Sequence, residues 1–253
     1  MNGRNTFSEA PARPEQILAI FQDWQRLEFG ERQTEILSFE TTIGEWLNSA
    51  DFLDWRTLSK SLNKFFETDF SNDDWRAVMK PEGKRTLRNV CELIASRATL
   101  PVLNEAKFLG GSCKTASAFL ALRAKLQSSG IDVSTIRPST RLENFLRLHT
   151  SVVGTAIVKL APGRIRGVKV RNNLARRLFG WICLACLVAL VLSGIVSAHF
   201  LSAGSSATLI VSLFGMVVAS HFPPASVQIE GVETFADLSR MIALPNITRD
   251  SIE

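Results

Sequence analysis

LFGWICLACLVALVLSGIVSAHF, Leu178 to Phe200, decides how the rest of this chain is read. These 23 residues contain no Asp, Glu, Lys or Arg, and twelve of them are Leu, Ile, Val or Phe. A spanning helix needs about 20 residues to cross a ~30 Å hydrocarbon core, so the length fits a first transmembrane helix. Ser205 to His221 supplies a second, shorter apolar stretch, with seven such residues in 17. Between them LSAGSS can turn the chain, and Pro223-Pro224 stops a helix beyond the second stretch. The charge-free interval runs from Leu178 to Ile229, 52 residues. It reads as a two-helix transmembrane hairpin (178–200 and 205–221 within 178–222) rather than as two buried core helices.

The flanks orient that hairpin. Residues 1–177 hold 27 of the 29 Lys and Arg and 19 of the 24 acids, about +8 before the apolar region and −3 after it. From Asn144 to Arg177 eight cations occur and no acid. Cations beside a span stay on the cytoplasmic face. The expected location is therefore a plasma or inner membrane, with the N-terminal region cytoplasmic. Lys159, Arg164, Arg166, Lys169, Arg171, Arg176 and Arg177 are the expected contacts to anionic headgroups, with Trp181 at the interface. Ala185, Ala189, Ser193 and Ser197 recur every four residues, and Gly215 and Ala219 repeat the spacing, which predicts a small-residue packing face. That face serves the hairpin itself or a homo-oligomer.

The region upstream predicts a mainly α domain. PEQILAIFQDWQRL places Ile17, Phe21, Trp24 and Leu27 on one stripe, and Pro14 suits a helix start. Thr42, Asp54, Ser71, Thr86 and Ser139 are expected N-caps, Ser71 with Asp74 three residues on, and Gly130 ends the helix from Cys113. SVVGTAIVKLAPGRIRGVKVR is expected to turn β-like, two β-branched runs split by Pro162-Gly163. The resulting organisation is a flexible N-terminus (1–13), a helical cytoplasmic domain (14–150), a β-like basic juxtamembrane segment (151–177), the hairpin (178–222) and a C-terminal tail with a short helix (223–253).

EGKRTLRNVCELIA (Glu82 to Ala95) and EGVETFADLSRMIA (Glu230 to Ala243) match at five of fourteen positions, which a shared Thr-capped amphipathic helix explains. The first also resembles the last helix of acyl carrier proteins. A carrier needs a serine in an Asp-Ser-Leu motif on an earlier helix, and Asp250-Ser251 is the only Asp-Ser, so the carrier function does not transfer.

Candidate chemistry is thin. LGGSCKTA (Leu109 to Ala116) has glycines before Lys114-Thr115, but a phosphate loop needs glycines where Phe108 and Cys113 stand, so a glycine turn into a helix is expected. Cys183 and Cys186 form a Cys-x-x-Cys inside the apolar run, where a thiolate would go unsolvated. Cys91 and Cys113 are isolated. The three histidines, His149, His199 and His221, do not suggest a shared metal site, and none precedes residue 149. Asp73, Asp74 and Glu92 read as solvated helix surface. Only Phe145 is aromatic between Asn144 and Arg177, which disfavours nucleic acid. The expectation is a non-catalytic, cofactor-free, membrane-anchored interaction or scaffolding module with a protein partner; the alternatives are an accessory subunit of a larger membrane complex or transporter and, third, a membrane-tethered enzyme.

Overall fold

Ile17 and Phe21 are buried along helix α1 (Pro14–Phe29), with Trp24 and Leu27 packed at the edge of the core, as the stripe predicts; Ile20, off that stripe, is buried too. In the computed structural model the described residues are 7–29, 36–49, 54–104, 107–108, 111–171 and 226–244. Four helices follow: α2 (Ile43–Ser49), α3 (Trp55–Phe66), α4 (Asn72–Met79) and α5 (Leu87–Ala95). Thr42 and Glu45 cap α2 reciprocally, and Ser71 and Asp74 do the same for α4, satisfying N–H groups that a helix start leaves open. Asp54 occupies the cap position of α3 without a side-chain bond. Glu67 ends α3 in the left-handed conformation (φ 57°), its N–H bonded to the Asn63 carbonyl.

Residues 7–11, expected in a flexible terminus, instead form strand β1 (Phe7–Pro11), antiparallel to β2 (Thr99–Leu103) with Phe7 opposite Leu103. The short hairpin β3 (Lys107–Phe108) and β4 (Gly111–Ser112) leads into α6 (Lys114–Ser128), which ends before Gly130 at φ +83°. Within LGGSCKTA, Gly111 and Ser112 form β4 and Lys114 opens α6, while Leu109 and Gly110 lie outside the described residues.

Helix α7 (Leu142–Leu160) overturns two expectations. It begins after Arg141 rather than at Ser139, because the Leu142 N–H is taken by the Glu233 carbonyl at 2.9 Å. It also continues through the run expected to be a strand. Val153, Ala156, Ile157 and Leu160 bury one helical face, and that tertiary burial outweighs the β preference of Val and Ile. Pro162-Gly163 does turn the chain, with Gly163 at φ +78°. The strand after it, β5 (Val168–Arg171), pairs with β6 (Ser226–Ile229) and not with the preceding run. The last described helix is α8 (Phe235–Ala243), which packs chiefly on α6.

The sequence echo has a structural counterpart. The starts of α2 and α5 are joined by an antiparallel bridge, Thr42 to Thr86, with Ile43 N–H to the Arg85 carbonyl and Leu87 N–H to the Thr41 carbonyl, both 2.9 Å. The starts of α7 and α8 are joined likewise, Arg141 to Thr234, by the Leu142 bond and by Phe235 N–H to the Thr140 carbonyl at 3.1 Å. Buried positions correspond: Leu87, Val90, Cys91 and Ile94 in α5, and Phe235, Leu238, Ser239 and Ile242 in α8.

Among the described residues no helix is long and apolar enough to cross a membrane. The longest, α7, carries Glu143, Arg147 and Lys159 and is bent at His149. The expected transmembrane hairpin and integral-membrane location are therefore corrected: what the structure supports is a mainly helical chain with small antiparallel sheets. The stretches 178–200 and 205–221 lie outside the described residues, and with them Arg176, Arg177, Trp181, Ala185, Ala189, Ser193, Ser197, Gly215 and Ala219.

Candidate functional site

Three elements bring cations together. Arg56 projects from the first turn of α3, where its guanidinium lies 5.0 Å from the Trp55 ring centroid. Arg76 comes from α4, whose start is fixed by the Ser71–Asp74 caps. Lys80 and Arg85 flank the turn that begins at Pro81, and the Arg85 Nε donates to the Lys80 carbonyl at 3.3 Å. With Trp55, Asp73, Ala77 and Pro81 they line an open groove of about 720 Å³. Lys80 also pairs with Glu82, which is not among the lining residues. Four cations thus face one acid, Asp73, in a single concavity. In the sequence these residues are scattered singly between Trp55 and Thr86, and only the run Lys80-Pro-Glu-Gly-Lys-Arg85 hints at them.

Of the predicted basic contacts, Lys159, Arg164, Arg166 and Lys169 have described side chains, and these differ in exposure. Lys159 is turned inward, 9% exposed, with Nζ 2.9 Å from Glu67 and 4.8 Å from the Phe65 ring centroid. Its ammonium holds the Glu67 carboxyl below the usual range. Arg164 donates to the Leu244 carbonyl, and partial burial, with Arg166 beside it, lowers its pKa. Arg166 and Lys169 are exposed, and the Arg171 side chain is outside the described set.

A further acid escapes sequence reading. Asp23 is fully buried in α1, accepting from the Gly163 N–H at 2.6 Å and from Arg26 Nη1 at 3.0 Å, while the same Arg26 nitrogen donates to the Ile165 carbonyl. Burial pushes its pKa up to about 7, against the opposing pull of the Gly163 N–H and Arg26. Asp23 follows Ile20 by three residues, and both lie off the predicted stripe of Ile17, Phe21, Trp24 and Leu27. Its role is to pin α1 to the turn after α7.

Asp74 is spent on its cap, which lowers its pKa. Cys91 is buried and its thiol pKa is raised by desolvation, whereas Cys113 is exposed at the start of α6. His149 lies against Phe145 at 4.9 Å between ring centroids. Cys183, Cys186, His199 and His221 lie outside the described residues. Among the described residues no cluster of three or more His, Cys, Asp or Glu is placed to hold a metal. Comparison with protein families, with curated proteins and with solved structures returns no match to this chain.

Proposed function

We propose that this chain works as a non-catalytic protein-interaction module that docks an acidic segment of a partner protein in the groove of Trp55, Arg56, Arg76, Lys80 and Arg85. The observation that carries the reading is charge: four cations from three elements face a single acid in one groove. Complementary charge of this kind accelerates encounter and selects partners more than it raises affinity. Arginines suit the task because the guanidinium fork meets carboxylates in pairs of hydrogen bonds.

The test is anisotropy of a labelled Asp/Glu-rich peptide mixed with the full chain. Tight binding that weakens with salt is expected, and loss of about tenfold or more in an Arg56→Glu/Arg76→Glu double variant. Unchanged affinity in that variant, or equal binding of an RNA of the same charge, would overturn the reading.

A further inference from the structure

A second concavity, of about 470 Å³, opens between α1, α2, α3 and α7. Phe21, Trp24, Leu27, Trp46 and Leu58 give it a largely apolar wall. Phe21 lies 5.0 Å from Trp46 and 5.9 Å from Trp24, and Trp24 meets the edge of Phe65 at 4.2 Å between centroids. Leu27 completes that side, and Gly154 makes room for it: a Cβ at Gly154 would stand 3.1 Å from Leu27 Cδ1. The volume falls within the ~300–1,000 Å³ of small-molecule sites.

One lining side chain has no structural explanation. Gln25 lines the cavity, is only 6% exposed, and has no hydrogen bond to another residue among those described. Its amide atoms are not fully enclosed, since among the described residues Arg123 Nε is the one enclosed side-chain N or O atom without a partner, so the carboxamide is open to bond an occupant of the cavity. Phe21, Gln25 and Glu28 stand one turn apart along a single face of α1, so the exposed Glu28 carboxylate lies at the end of the same row. Among the described lining residues there is no Lys or Arg. Aromatic faces attract cations, and among the described lining residues the one charged side chain, Glu28, is negative.

We propose that this cavity binds a small organic amine, its apolar body among Phe21, Trp24 and Trp46, its ammonium donating to Gln25 Oε1 and paired with Glu28. The site is independent of the cationic groove, so either can fail without the other.

The test is calorimetric titration of the full chain with 4-phenylbutylamine, 4-phenylbutanol and 4-phenylbutyrate, which share a body and differ in head charge. The amine is expected to bind tightest and the carboxylate weakest, by about tenfold or more between them. Glu28→Gln should bring amine and alcohol to similar affinity, and Gln25→Leu should weaken both, with unfolding followed to show that the variant is folded. Should Gln25→Leu not fold, Ser151→Trp on the lining of α7 replaces it and should abolish binding of the amine. Equal affinities for the three heads, no saturable binding, or a preference for amine unchanged in Glu28→Gln would each overturn the proposal.

Discussion

The start of α2 beside α5 and the start of α7 beside α8 solve one problem in two ways. Each pair exchanges two backbone hydrogen bonds across an antiparallel bridge and turns four apolar or small residues of its second helix into the core. In the first pair Thr42 also caps α2 through Glu45; in the second the corresponding Arg141 makes no side-chain cap, and Thr234 with Asp237 holds α8 instead. The backbone exchange is thus the shared element, and the side-chain caps are local additions to it.

The sharpest way to break this comparison is through the core. Phe235→Ala should cost ~3–5 kcal/mol and Leu87→Ala ~2–5 kcal/mol in urea unfolding, both shifting one common transition. Two separated transitions in either variant would show that the pairs stabilise independent units. Next in size is a pH effect on the tie between α1 and the turn leading from α7. Between about pH 4 and about pH 7 folded Asp23 holds a proton that the unfolded chain releases. Stability should therefore fall as pH rises through that window and level off above it, at no more than about 1.4 kcal/mol per pH unit. Asp23→Asn should flatten the profile; parallel profiles for the two proteins would refute the assignment.

Smaller effects sharpen the contrast in caps. Thr234→Ala should lower stability by ~1 kcal/mol, while Arg141→Ala should change it by less than about 0.5 kcal/mol. A larger loss in Arg141→Ala would mean that its side chain does more than the bridge geometry implies. Glu67→Gln, which removes the tie from the end of α3 to Lys159 on α7, should cost less than about 1 kcal/mol because Glu67 is 72% exposed. That contribution is present above the usual carboxyl range and lost as pH falls through the lowered Glu67 value.

Local signals were legible wherever the deciding interaction is local. The stripe in α1, the Ser71–Asp74 box and the glycine end of α6 all depend on neighbours within a turn. Reading failed where distant chain decides. Ser139 looked like a cap, but Glu233, far along the chain, supplies the carbonyl that starts α7. Val152 to Val158 looked like a strand until burial against other helices is counted, and β5 found its partner beyond residue 225. Apolar length and adjoining charge suggested a membrane hairpin, which the described helices do not support. Beyond the run from Lys80 to Arg85, the cationic groove left no mark in the sequence, because its residues converge only once α3, α4 and the Pro81 turn are folded.

In the β5–β6 ladder Arg171 stands directly opposite Ser226. The chain therefore departs toward 172–225 and returns from it through one doorway, two adjacent strand ends. A splice that joins those ends with a two-residue Asn-Gly reverse turn keeps every rung of the ladder from Val168 to Arg171.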